Sequence, residues 1–327
     1  MPPLLAVTLP FFALVLCGWL AGRFRVLPEA AIPGLNAFVL FFALPCMLFR
    51  FGAASPVEAV FNPRALLLYT ACGLLIVALT ALMSRRGWIG RRLGWKDAAF
   101  GAFVAAFPNT GFMGMPLMVA LLGPAAAAPM MVTLLADMFI ISGVCLALAQ
   151  MQGSGHLPWA QRLRTLMAGP LKNPQPWAIA LGALFSAMGW ALPAPAARIV
   201  ELLGGAATPV ALFTIGAVLW RSGLHAHKRT PPAEVLPIAA IKLFVHPALM
   251  FGGGLALAAA GWPLEAFTLM VLTLAAALPS ASNASLLAER HGADNGRVAR
   301  IILASTVLAF ASFTGLAAVF GVEPVAP

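Results

Sequence analysis

Charge is what this sequence has least of. Only 10 acidic and 20 basic side chains are spread over 327 residues, while 61% of the chain is hydrophobic and its mean hydropathy is +0.94. So little charge excludes a soluble globular domain, in which about a quarter of the residues are charged. Cysteine is nearly as scarce: Cys17, Cys46, Cys72 and Cys145 lie far apart within apolar stretches. That spacing offers neither a metal site nor a paired framework, so they read as small buried apolar side chains. No Gly-Lys pair occurs, which excludes a phosphate-binding loop that hydrolyses ATP. H-E-x-x-H and G-x-S-x-G are both missing, removing the easiest readings as an intramembrane metalloprotease or serine hydrolase, and no enzyme activity is expected. The short polar–apolar alternation of a membrane β-barrel is absent as well.

Long apolar runs are what remains. A helix needs roughly 20 apolar residues to cross the hydrocarbon of a bilayer, and ten such stretches can be drawn. They cover approximately residues 3–22, 31–50, 64–84, 98–122, 129–150, 175–193, 197–220, 235–259, 266–289 and 298–320. The expected fold is therefore an all-α polytopic membrane protein with ten spans. Span 1 has no Lys or Arg before it and Arg23 and Arg25 after it, the reverse of a cleavable signal, so it is expected to stay as a helix. The connections after the odd-numbered spans hold 16 Lys and Arg, against Arg50, Arg64 and Arg198 on the other side. This bias places both termini outside the cytoplasm. The net charge of +10 then follows from topology and calls for no nucleic-acid partner.

The chain also contains a repeat. The segment from Ala43 to Ala53 in span 2 matches Ala207 to Ala217 in span 7 without a gap, as A-x-P-x-x-L-F-x-x-G-A at an offset of 164 residues. Spans 4 and 9 fall into register at an offset of 171, where Ala105 to Pro108 corresponds to Ala276 to Pro279. Five spans thus repeat once. Because five is odd, the copies enter the membrane from opposite faces as an inverted repeat, the architecture of alternating-access carriers. The first repeat is expected over 1–150 and the second over 175–327. Between them, residues 151–174 read as a cytoplasmic linker with a short interfacial amphipathic helix.

Spans 4 and 9 carry the candidate site. Pro108 lies about ten residues into span 4, ~15 Å deep in a core of ~30 Å, and Pro279 is comparably deep in span 9. Each should unwind its helix, which at that depth requires surrounding protein or a water-filled cavity. Asn109 or Thr110 is expected to cap the second half of span 4, and Ser280 or Ser282, beside Asn283, that of span 9. Two positive helix ends would then favour an anion, most simply a carboxylate. Gly111 and Gly114 allow close approach of a backbone or a substrate. A single such kink is more often packing geometry; the pairing is what suggests a site.

Ionisable groups within spans are few and costly. Asp137 stands alone as a carboxylate deep in span 5, and Lys242 and His246 share one face of span 8. An Asp137–Lys242 pair would be structural, whereas a proton relay or substrate contact through Asp137, Lys242 or His246 would be functional. Tyr69, the single tyrosine, and Asn36 are weaker polar candidates, with helix–helix hydrogen bonding the plainer role for Asn36.

Four segments carry a resemblance: Leu35 to Pro45, Pro108 to Leu117, Pro209 to Gly216, and Pro279 with the Ser280, Ser282 and Asn283 cluster. Together they resemble the auxin efflux carrier family, which includes bacterial malonate transporters and plant auxin exporters. The resemblance covers almost the whole chain, and the span 4 motif is its most specific part. It implies spans 1, 2, 6 and 7 as a scaffold and spans 3–5 and 8–10 as a mobile transport unit. A small carboxylate, malonate or an auxin-like acid, would bind where spans 4 and 9 cross at Pro108, Asn109 and Pro279, in an elevator-type cycle. The expected setting is the inner membrane of a bacterium, with lipid contact and a homodimer through the scaffold spans as the expected partners. The long cytoplasmic loop of plant members has no counterpart here. No cofactor is expected; coupling could use H⁺ through Asp137 or His246, or Na⁺ as in the similarly built bile acid sodium symporters, which are the second reading. A membrane sensor that does not transport is the reading of another class.

Overall fold

The computed structural model describes residues 2–151, 169–224 and 230–323. The expected linker helix falls mostly within 152–168 and lies outside them. Helix α1 spans Pro2–Arg23, α2 Glu29–Ala54, α3 Pro63–Arg86, α4 Trp95–Ala106, α5 Thr110–Leu122 and α6 Pro124–Gln150. In the second half, α7 spans Pro174–Met188, α8 Ala194–Leu224, α9 Pro232–Ala259, α10 Ala266–Ala276, α11 Ala284–Arg290 and α12 Asn295–Val319. Seven of these helices are long and apolar enough to cross a membrane, and α5 and α10 are shorter apolar helices. The chain is thus an all-helical, multi-pass membrane protein.

Polar residues set several helix starts. Asn62 accepts from the N–H groups of Arg64 and Ala65 and Asn173 from that of Gln175, each just before a proline that opens the helix without wasting a donor. Asp294 accepts from Arg297 N–H at the start of α12. Proline also explains three wide turns. Val39–Ala43, Thr110–Gly114 and Ile241–Val245 are π-helical, and each ends two residues before Pro45, Pro116 or Pro247. A proline ring strikes the carbonyl four residues back; in each wide turn the residue before the proline bonds five back instead, as Met115 N–H does to Thr110 O. The π-turn Asp137–Ile141 has no such proline.

Glycine sets the closest helix crossings. A Cβ at Gly216 would stand 1.9 Å from Val15 O, and one at Gly18 1.9 Å from Phe213 O, so α1 and α8 meet backbone to backbone. Helices α2 and α7 meet the same way, a Cβ at Gly182 falling 2.5 Å from Phe49 O and one at Gly52 3.2 Å from Gly182 Cα. These helices pack with one another, α2 also lying against α8. Helix α4 is enclosed by α3, α6, α9, α11 and α12, and every residue from Ala98 to Ala106 is buried.

Candidate functional site

Helix α4 stops at Ala106 and α5 begins at Thr110; α10 stops at Ala276 and α11 begins at Ala284. The two intervening segments pair. Pro108 and Ser280 form an antiparallel bridge, in which Asn109 N–H donates to Pro279 O at 2.8 Å and Ala281 N–H to Phe107 O at 3.1 Å. Backbone that leaves its helices in the protein interior is thereby satisfied.

The side chains do different work from the capping expected of them. Pro108 has no N–H, so the carbonyl of Val104, four residues earlier, loses its helical donor. Ser280 Oγ donates to that carbonyl at 2.6 Å, and Ser280 N–H donates to Ser305 Oγ at 3.1 Å on α12. Asn109 and Asn283 precede α5 and α11 without making side-chain caps. Ser282 is buried, and its carbonyl accepts from Ser285 Oγ. Thr110 turns its hydroxyl to Asp137 Oδ2 at 3.2 Å. Ser280 and Thr110 thus spend their hydroxyls on other oxygens, while Asn109 and Asn283 face a cavity.

That cavity, about 30 Å³, is lined by Asn109, Thr110, Gly111, Asp137, Gln175 and Asn283 among others. It has room for a water and not for a dicarboxylate. Asn109 is 3% exposed and its amide makes no side-chain hydrogen bond among the described residues; Asn283 Oδ1 is buried without a partner. Thr110 N–H is taken by Pro108 O, and those of Met113 and Gly114 by Asn109 O. The first-turn N–H groups of Gly111 and Phe112 have no carbonyl of their own helix within reach. The two glycines separate in role. A Cβ at Gly111 would meet nothing nearer than 3.5 Å, whereas one at Gly114 would stand 2.4 Å from Leu278 Cδ1 and 2.9 Å from Met130 Cε, so Gly114 is packed against side-chain ends and Gly111 is open.

Behind the cavity, buried polar groups connect the two helix interruptions. Tyr69 OH donates to both oxygens of Asp137, at 3.0 and 3.1 Å, and the Tyr69 ring lies 6.2 Å from that of His246. Lys242, fully buried, donates to Ala276 O at 2.5 Å and stands 3.5 Å from His246 Nδ1. A direct Asp137–Lys242 ion pair is not formed. Asp137 lies at the N-terminal turn of α5 and Lys242 at the C-terminal carbonyl of α10, the helix ends at which a negative and a positive charge, respectively, are favoured. Asn36 makes no helix–helix hydrogen bond among the described residues; it lines a cavity of about 660 Å³ with Arg221, Ser285, Glu289, Arg290 and Asn295. No group of three metal-ligating side chains is found among the described residues.

Two features escaped the sequence. Gln175, the first residue of the sixth expected span, does not stand out there, yet it is 3% exposed and faces the 30 Å³ cavity. Arg297 reads as a loop cation but is 1% exposed, its Nη1 donating to Asp97 O at 3.2 Å and its Nε 3.7 Å from Glu234. Gly101 on α4 makes room for it, since a Cβ there would stand 2.9 Å from Arg297 Nη1.

Comparison with known proteins agrees with this architecture. Residues 4–316 match the family model described as "Membrane transport protein". A "Putative malonate transporter" of Rhizobium meliloti is 31% identical over 318 residues, 97% of this chain and 95% of that protein. The "Uncharacterized transporter YfdV" of Escherichia coli is 25% identical over 307 residues, 92% of each chain. "Auxin efflux carrier component 8" of Arabidopsis thaliana is 22% identical over 324 residues, covering 84% of this chain and 85% of its own. The chain belongs to the membrane transport protein family, that of the auxin efflux carriers.

Proposed function

We propose that the chain is a secondary transporter or exporter of a small organic anion, a carboxylate such as malonate or an auxin-like acid, working by an elevator-type alternating-access cycle in a bacterial inner membrane. The observation that carries this reading is the pairing of residues 107–109 with 279–281 beside Asn109 and the first turn of α5. In it, α4 with α5 and α10 with α11 are the halves of two broken, crossing spans, and the ten spans form two inverted five-span repeats with both termini outside the cytoplasm. The glycine crossings support the repeat: Gly18 and Gly182, like Gly52 and Gly216, stand 164 residues apart, and each pair occupies equivalent contacts.

A substrate carboxylate would accept from the N–H groups of Gly111 and Phe112 and from the Asn109 amide, a charge-assisted arrangement at a helix N-terminus. Because the cavity is too small for it, the site opens when spans 3–5 and 8–10 move against the scaffold of spans 1, 2, 6 and 7. Asp137 lines the same cavity. An ionised Asp137 would repel the bound anion and a proton relieves that repulsion, so anion and proton travel together. The Lys242 ammonium already occupies the Ala276 carbonyl, which weighs against Na⁺ there. The test is uptake of labelled malonate into proteoliposomes with pH and Na⁺ gradients imposed separately. Uptake driven by the proton gradient and lost in Asn109→Ala is expected; uptake driven only by Na⁺ would sink the proton reading, and unchanged affinity and flux in Asn109→Ala would remove the crossover from the mechanism.

A further inference from the structure

Helix α3 ends at Gly87, whose φ of 76° admits no ordinary side chain without strain. The chain is then pinned on both sides of one exposed aromatic residue. Ile89 and Leu93 are buried, and Leu93 N–H donates to Ser84 O at 3.1 Å, while Trp88 between helix and anchors is 64% exposed. Three guanidinium groups gather on this segment. Arg86 lies over the Trp88 ring, 5.1 Å from its centroid. Arg85 lies over Trp95 at 4.9 Å and donates to Leu93 O, and Arg92 Nε donates to Arg85 O. Arg91 takes the opposite side, meeting Glu234 and Asp294. No carboxylate among the described residues is within ion-pair distance of Arg85, Arg86 or Arg92.

Leading up to this cluster, Leu75, Leu79 and Leu82 are exposed at helical spacing, with Arg86 one turn further on the same stripe of α3. The geometry points to a binding site for an anionic phospholipid of the bilayer leaflet at this end of α3. Its acyl chain lies along the leucine stripe, the indole of Trp88 sits at headgroup depth, and the phosphate meets Arg86 and Arg92. Charge complementarity selects the occupant. Cations without a carboxylate partner beside an apolar stripe suit a molecule that is anionic at one end and hydrocarbon at the other; a soluble acidic protein would leave the stripe unused.

The test uses the full chain in nanodiscs of equal parts phosphatidylglycerol and phosphatidylcholine, with retained lipid counted by native mass spectrometry after detergent extraction. Wild type is expected to retain phosphatidylglycerol in preference. The double variant R86Q/R92Q should lose that preference by at least threefold, R86K/R92K should lose part of it, and R23Q/R25Q, an equal charge change at the end of α1, should keep it. Unfolding temperature, measured alongside, identifies a misfolded variant, for which W88A serves as the second probe with the same expected loss. Equal losses in the α1 and α3 variants would reduce the site to diffuse surface attraction and overturn it. So would no loss in any variant, or displacement of the lipid by soluble polyaspartate.

Discussion

Ser280 occupies its place because Pro108 lacks a donor, and the consequence is measurable. Replacing it by Ala leaves the Val104 carbonyl buried and without a partner, a cost of about 1–3 kcal/mol. Thermal unfolding of Ser280→Ala in detergent should show that loss, and an unchanged midpoint would mean that water replaces the hydroxyl. Tyr69→Phe removes the donor shared by both Asp137 oxygens, whereas Thr110→Val leaves Asp137 with Tyr69. Tyr69→Phe should therefore be the more destabilising of the two, and the reverse order would show that Thr110 is the main support. At this scale the sequence was legible where polarity is expensive. Asp137, Lys242, Asn109 and Ser280 stand out because few groups of their kind are tolerated in a span. Which groups pair did not stand out, since a hydroxyl that can cap its own helix can equally serve a distant carbonyl or carboxylate, and only packing decides. Arg297 was hidden for a related reason: a cation at a helix start looks solvated until Gly101 on α4 is seen to vacate the space beside it.

At the scale of elements, the crossings of α1 with α8 and α2 with α7 depend on the absence of a single carbon. Gly216→Ala and Gly18→Ala each place a Cβ 1.9 Å from a backbone oxygen that no side-chain rotation can move. Both helices must separate, at a cost of about 1–3 kcal/mol or more. Gly52→Ala, with its nearest atom at 3.2 Å, should cost less, and Gly205→Ala, with nothing within 4 Å, should be neutral or slightly stabilising through the better helix propensity of Ala. Unfolding midpoints of the four variants test this ranking; a Gly205→Ala as damaging as Gly216→Ala would show that propensity or the unfolded state governs instead of the crossing. The match between Ala43–Ala53 and Ala207–Ala217 marked two of these helices in the sequence. Gly18 and Gly182 obey the same offset, but an isolated glycine in an apolar helix has no pattern around it, so the crossing partners were invisible. Helix α7 also departs from expectation, ending at Met188 where Gly189 takes φ of 63° instead of running to residue 193.

For the whole molecule, the two large cavities lie at opposite ends of α2. One, about 660 Å³, is lined by Ile32, Asn36, Arg221 and Leu286, and the other, about 410 Å³, by Ala54, Asn62, Ala125 and Glu265. Ile32 and Ala54 are 22 residues apart, about 33 Å along a helix, which is the thickness of a bilayer core. An elevator cycle would open one cavity as it closes the other, because both lie between α2 and helices assigned to the moving unit. With the four native cysteines replaced, Leu286→Cys and Ala125→Cys should therefore react with a membrane-impermeant thiol reagent from opposite sides. Saturating substrate on one side should change their rates in opposite senses, since a ligand shifts a two-state equilibrium only towards the state that binds it better. Labelling of both positions from one side would overturn the inverted topology. Rates that rise or fall together would leave the topology standing and remove the elevator, because a rigid unit sliding past a fixed helix cannot open both ends at once.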